Sequence, residues 1–300
     1  AGHLIVNAAE HRAVLDPARR LRREGASLTV LPVNTLGRVS PDDVANALTE
    51  QTRLVSIMLA NNEVGTLNSV GEIAEHCRQQ GVLTHCDASQ AIGRIPVDLS
   101  ELPVDLVSFT AHKLYGPKGI GALFLRKHDS AVPIRPLFDG GAHERGLRSG
   151  TLPVPLIVGF AESITIADQA SDTETTRIRA LRECLFDRIT CGLSGVRLHG
   201  DPKERLPGNL NIGFERIDGD ALMTGIAEQG LAVSSGSACT SANPEPSHVL
   251  KAMGVSEHLV RASLRFGLGR FNTEHDVASA AEIVIDVVSR LRSTSQPDGC

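Results

Sequence analysis

Tryptophan is absent from this sequence and tyrosine occurs once in 300 residues, so near-ultraviolet absorbance is nearly blind to the protein and the peptide band must stand in. No block of Lys and Arg accompanies the formal net charge of -5, which argues against a nucleic-acid-binding surface. No apolar run reaches the length of a membrane span, and none reads as a secretory signal. The six cysteines (77, 86, 184, 191, 239 and 300) lack the dense spacing of a disulfide framework, so a reducing compartment, the cytoplasm, is expected. A phosphate loop of the form G-x-x-x-x-G-K-[ST] is missing. Gly119-Ile120-Gly121 runs into a strand rather than opening a helix, so it is no dinucleotide fingerprint. No internal repeat is found. His76-Cys77 and His85-Cys86 resemble a metal set, but the first pair falls in a helical stretch and the second in a strand, where neighbouring side chains face opposite ways. No metal site is expected.

What is present is an apolar fraction of 41%, ordinary for a globular enzyme and too high for disorder. The length is large for a single core, so one large and one smaller domain are expected. Strand-like runs at 4–6, 28–33, 54–59, 82–86, 106–109 and 122–125 alternate with helical stretches near 12–24, 41–49 and 69–80. Ser40, Pro41, Asp42 and Asp43 make a helix start, with the hydroxyl at the cap and acids at the positive end. Such alternation predicts a mostly parallel α/β sheet covered on both faces. In these sheets ligands gather beyond the carboxyl ends of the strands. His11, the run Asn61-Asn62-Glu63, Asp87 with Gln90, and His112-Lys113 all lie just past a strand.

The texture changes after about residue 150, which divides the chain into a large unit, 1–153, and a smaller α+β unit, 154–300. The second reads as one or two long helices over 154–192, strands near 196–199 and 209–214, and a helix at 219–229. A helix near 246–253, a strand at 261–266 and a closing helix at 274–292 follow. In the closing helix Val277, Ala281, Val284, Val288 and Leu291 recur at helical spacing and predict a core-facing stripe. The tail from 293 is expected to fray.

Three stretches carry chemistry. Ser234-Ser235-Gly236-Ser237-Ala238-Cys239-Thr240-Ser241 is a run of small residues that reads as a loop presenting one thiol; a tight turn that happens to hold a cysteine is the plainer alternative. Thr110-Ala111-His112-Lys113 ends a strand and presents a lysine better shielded than Lys118, as a Schiff-base lysine requires, although most lysines are simply solvated. Asp87, at the end of an apolar strand, wants a cationic partner. The protonated ring nitrogen of pyridoxal 5'-phosphate (PLP) is one, and a helix cap is the other reading. Gln90, Asn62 and Thr110 suit the ring oxygen or phosphate, and His11 the ring face, a surface helix start being the plainer reading of His11.

These stretches, with His143-Glu144-Arg145-Gly146-Leu147-Arg148-Ser149-Gly150-Thr151 and Arg265-Phe266-Gly267-Leu268-Gly269-Arg270-Phe271, together resemble the class I cysteine desulfurases of the NifS/IscS type. These are fold-type I PLP enzymes among the class-V aminotransferases. The similarity runs from about residue 4 to 292. It implies a seven-stranded type of sheet, with Lys113 carrying PLP and moving protons, and Asp87 pairing with the pyridine nitrogen. Asn62 and Gln90 would meet the ring hydroxyl, His11 would stack on the ring, and Thr110 and His112 would contact the phosphate. Thr151 would reach the phosphate of the neighbouring subunit in a homodimer, and Arg265 would grip the carboxylate of L-cysteine, beside Asn62, although a lone arginine in an apolar strand equally suits a structural ion pair. Cys239 would take the sulfur as a persulfide and pass it to an acceptor, such as an iron–sulfur scaffold or the tRNA-thiolation machinery.

The sequence departs from this family at its start, where a helix N-terminus that binds the PLP phosphate would precede residue 4, and at its end, where some members carry a longer tail. A fragment is therefore the expected reading, ahead of a short paralogue. A selenocysteine lyase or another C–S lyase on the same fold is one alternative activity, and a non-catalytic binding scaffold is another.

Overall fold

A computed structural model describes residues 2–127, 132, 134–235 and 246–294. The chain opens as β1 (His3–Asn7), α1 (Arg12–Arg23), β2 (Ser27–Leu31), α2 (Pro41–Ala47), β3 (Thr52–Ser56), α3 (Val70–Gln79), β4 (Leu83–Asp87), β5 (Leu106–Thr110) and β6 (Gly121–Leu125). Their order in the sheet is β2-β1-β3-β4-β5-β6. The first five strands run parallel, and β6 pairs antiparallel to β5, a direction that hydrophobic patterning does not encode. Six strands fill this sheet among the described residues, where the resemblance implies seven.

The local causes are visible in the sequence. Apolar side chains on one face (Ile5, Val55, Cys86 and Val107, all at most 1% exposed) bury the inner strands under α2 and α3, and Val6 packs against α1 on the other face. Pro41 opens α2 with Asp42 and Asp43 in its first turn, but the Ser40 hydroxyl makes no capping bond. Parallel strands need crossovers between them; α1, α2 and α3 supply the first three, and β4 reaches β5 through the non-helical stretch 88–105.

The second part begins with α4 (Val154–Gly192), a single unbroken helix, and continues through β7 (Val196–His199), β8 (Asn209–Phe214), α5 (Gly219–Glu228), β9 (Ser234–Ser235), α6 (His248–Ala252), α7 (Glu257–Arg261), β10 (Ser263–Gly267) and α8 (Glu274–Thr294). Its antiparallel sheet has the order β7-β8-β10-β9. Asp218 caps α5 by accepting the Ala221 N–H, and Ser247 caps α6 through the Leu250 N–H, as short polar residues do at helix starts. A separate core gathers Leu185, Ile189, Ile212, Phe214, Val284 and Val288 between α4, the sheet and α8. Phe214 is fully buried and contributes roughly 1.5–3 kcal/mol by leaving water. Val277, Ala281, Val284 and Val288 of α8 face this core, and Leu291 packs against its edge, as their spacing predicts. Among the described residues, no helix is long and apolar enough to cross a membrane.

Candidate functional site

Strands β1, β3, β4 and β5 are consecutive neighbours in the large sheet, and all four point the same way. Their carboxyl ends lead into His11, Asn62, Asp87 and Lys113 respectively. Since adjacent strands lie about 4.8 Å apart, the topology draws together four residues separated by up to a hundred positions in sequence. Each is half-buried.

Local bonding orients them. His11 caps α1, its Nδ1 accepting the Ala13 N–H at 3.1 Å, which leaves the ring proton on Nε2. The Asp87 carboxylate accepts the Ser89 N–H at 2.9 Å. Beyond Asp87 the chain forms a turn rather than the helix that a capping sequence suggests, because Ala91 and Ile92 fold back onto the Ala88 carbonyl and the backbone then leaves through Gly93 at φ 71. The Thr110 hydroxyl donates to the Ile120 carbonyl at 3.2 Å and accepts from His112 Nδ1 at 2.8 Å. His112 is exposed, and desolvation followed by the nearby charges of Lys113 and Lys118 holds its pKa below the ordinary range, favouring a neutral ring. Gln90 accepts from Arg94 at 3.2 Å, and the same guanidinium donates to the Lys113 carbonyl at 3.3 Å. Two residues beyond Lys113 the chain turns through Tyr115 at φ 62, a left-handed conformation that non-glycine residues seldom adopt.

Arg265, on β10 of the small sheet, reaches across to this edge and donates to the Asn62 carbonyl at 3.0 Å. The Asn62 Oδ1 is buried and has no hydrogen-bond partner within the protein. A buried acceptor of this kind calls for a donor from something bound. Thr151 lies apart, exposed in the segment that leads into α4. Cys239 lies outside the described residues; the residues on either side are anchored at this edge. Ser234 and Ser235 pair with Arg265 and Leu264, Ser247 donates to the Glu63 carboxylate, and His248 Nε2 donates to the Glu10 carbonyl at 2.9 Å.

Glu10 and Glu63 were not singled out for roles by the sequence. Glu10 is fully buried, and its Oε1 accepts from the Met58 N–H at 2.7 Å and from the Asn7 amide, while its Oε2 has no partner. Burial pushes its pKa well up, with the Asp87 carboxylate adding to the shift. The available signal was an acid placed directly before His11 at a strand end. Glu63 is likewise raised by burial, against the opposing pull of Ser247, His248, Arg265 and Arg12.

The His/Cys pairs are taken up by packing. Cys77 on α3 and Cys86 on β4 are both fully buried, and burial pushes the Cys77 thiol to about 12 and the Cys86 thiol further up. His85 lies between the hydroxyls of Ser56 and Ser108 at 2.7 and 3.0 Å.

An amine, a carboxylate, an imidazole, side-chain amides and hydroxyls thus line one sheet edge, with a guanidinium reaching in from the second sheet. This donor set fits the aldehyde-bearing, phosphorylated pyridine that the resemblance implies, and the orphaned Asn62 Oδ1 is the specific observation for it.

Comparison with known proteins agrees. The model of the family described as aminotransferase class-V matches residues 1–279. A protein of Rickettsia bellii named cysteine desulfurase IscS is 45% identical over 293 residues, covering 98% of this chain and 71% of its own length. A solved structure titled NifS-like protein superposes with a TM-score of 0.88 at 36% identity, over 97% of this chain and 76% of that one. Another, titled SspA in complex with cysteine, gives a TM-score of 0.77 at 32% identity, over 91% and 75%.

Proposed function

Because the chain belongs to the class-V aminotransferase family, we propose that Lys113, Arg265 and Cys239 carry out the desulfuration of L-cysteine. The activity is that of a PLP-dependent cysteine desulfurase. The observation that carries the residue assignment is the alignment of His11, Asn62, Asp87 and Lys113 on four neighbouring parallel strands, with Arg265 tied to Asn62.

When bound, PLP supplies an electron sink for the charge left as the substrate loses a proton. Lys113 holds the cofactor through Nζ and, once free, carries a proton to and from the substrate carbon. Asp87 keeps the ring nitrogen protonated, and Gln90 and Asn62 meet the ring hydroxyl. His11 covers the ring face, while Thr110 and His112 bind phosphate. Arg265 presents its planar fork to the substrate carboxylate and sets its orientation. The Cys239 thiolate attacks the substrate sulfur, so that an S–S bond forms as the C–S bond breaks. The products are alanine and a persulfide on Cys239, and atoms and electrons balance without an outside oxidant. The persulfide then passes to an acceptor such as an iron–sulfur scaffold or the tRNA-thiolation machinery, in the cytoplasm.

We assign the working form as a homodimer in which Thr151 serves the neighbouring subunit. Exposed apolar residues in and near that segment (Leu137 at 87%, Phe138 at 64% and Val158 at 62%) support a buried contact there. The core gathered on the second sheet supports a smaller unit after 153, while Phe160 at the start of α4 packs with Ala111 and Leu114 of the large unit.

The test is a visible spectrum of the protein with PLP, before and after L-cysteine. A yellow band that moves on adding cysteine is expected. Lys113→Ala should abolish the band, and Cys239→Ser should keep it while stopping persulfide formation. A band that survives Lys113→Ala would assign the cofactor to another lysine.

A further inference from the structure

Arg94 has no part in the assignments above, yet it touches two of the residues they rest on. It sits in the turn after β4 and is half-buried. Its Nη1 donates to Gln90 Oε1 at 3.2 Å, and its Nη2 donates to the Lys113 carbonyl at 3.3 Å. The turn is itself fastened to α4, where the Thr175 hydroxyl donates to the Arg94 carbonyl at 3.3 Å. The Arg94 backbone is thus held from behind, and its guanidinium spans two segments, one following β4 and the other following β5.

The chemistry of the contact fixes the Gln90 amide. A guanidinium only donates, so the Gln90 oxygen is committed as acceptor, and the amide nitrogen is the atom left to donate elsewhere. The oxygen of the cofactor's ring hydroxyl can accept from such a donor while its own proton meets the Asn62 Oδ1. With the amide turned over, two donors would face each other across the Arg94 contact. The Lys113 contact acts on the main chain: it fixes the peptide from which the Nζ-bearing side chain departs, and Tyr115 at φ 62 restrains the same segment two residues on. Burial lowers the Arg94 pKa while the Tyr115 phenol opposes the change, and an arginine remains charged throughout the working range. The cavity beside it, about 50 Å³ and lined also by Lys113, Tyr115 and Arg270, leaves room for a replaced side chain.

We propose that Arg94 is a positioning residue of the cofactor site: one guanidinium orients the Gln90 amide toward the ring oxygen and sets the backbone of Lys113 in register with it. The inference rests on the assignment of Lys113 and Gln90 to the cofactor.

The experiment is a double-mutant cycle on cofactor binding rather than on turnover. Apo-protein of the wild type, Arg94→Met, Gln90→Ala and the double variant is titrated with PLP, and with a PLP analogue lacking the ring hydroxyl. Binding is followed by visible and near-ultraviolet absorbance, with apo melting temperatures as the control. Arg94→Met is expected to weaken PLP by about tenfold or more, the scale of a lost charge-assisted hydrogen bond. It should weaken the analogue less, and the double variant should lose less than the product of the single losses. Arg94→Lys, which keeps the charge without the fork, should recover part of the affinity. Should Arg94→Met fail to fold, Arg94→Gln is read in the same way. Losses that multiply, equal losses for PLP and analogue, or unchanged affinity would each overturn the role of Arg94. A Lys113→Ala protein titrated alongside that forms the same PLP band would instead overturn the site assignment on which the role depends.

Discussion

Arg270 closes over Tyr115. Its backbone N–H donates to the phenol oxygen at 2.8 Å, its guanidinium carbon lies 5.0 Å from the ring centroid, and its fork is held by both oxygens of Glu174 at 2.8 and 2.9 Å. The strand that carries Arg265 is thereby fastened, at its exit, to the loop that carries Lys113. A Cβ added at Gly269 would overlap the Tyr115 phenol oxygen. Gly269→Ala should therefore cost about 1–3 kcal/mol, as overpacking does. Removing the obstacle with Tyr115→Ala should make the same substitution nearly silent. Urea denaturation of the four proteins checks this, and an undiminished cost in the Tyr115→Ala background would refute it.

Arg265→Lys should raise KM for L-cysteine about tenfold or more while changing kcat less, because an ammonium keeps the charge but loses the bidentate fork and the Asn62 tie. Steady-state kinetics decides it. A wild-type KM would mean that the carboxylate is held elsewhere.

His199 supplies a pH dependence. It is buried, donates to the Ser263 hydroxyl at 3.0 Å, and has its pKa lowered to about 4 by desolvation and the Arg205 charge. The unfolded chain takes up this proton near 6.5, before the folded one does. The stabilisation is thus complete above that value and is lost as pH falls toward 4, by on the order of 3 kcal/mol in all. His199→Gln should flatten the stability profile in that window. Equal slopes for both proteins would contradict the assignment.

Glu10 acts in the opposite sense. Its folded-state pKa lies above the ordinary 4.5, so its contribution is complete below 4.5 and declines as pH rises through the higher folded value. Glu10→Gln, which has no proton to lose, should gain stability relative to the wild type as pH rises from 4 to 8. A difference that stays constant with pH would show that the carboxyl does not titrate there.

Much of this arrangement could be read from the chain. Alternating apolar and amphipathic segments give the parallel sheet, and the strand-end rule picks out His11, Asn62, Asp87 and Lys113. The supporting residues were hidden for a physical reason. Glu10 and Arg94 belong to types that usually sit in water, and their significance comes from contacts with Met58 and Lys113, which lie 48 and 19 positions away. The turn after Asp87 also escaped notice, since Asp87-Ala88-Ser89-Gln90 satisfies a helix cap and an Asx turn equally well. Only the packing of Ala88 and Ala91 into the core decides between them.

The burial of Cys77 and Cys86 bears on where sulfur can travel. Thiols with no exposed surface and such high proton affinity hold almost no thiolate at neutral pH. They can neither intercept a persulfide carried on another cysteine nor react with an alkylating probe while the fold is intact. Neither of these two thiols can therefore serve as a sulfur carrier. Thiol titration of the native protein should fall two short of the count in the denatured chain on their account alone.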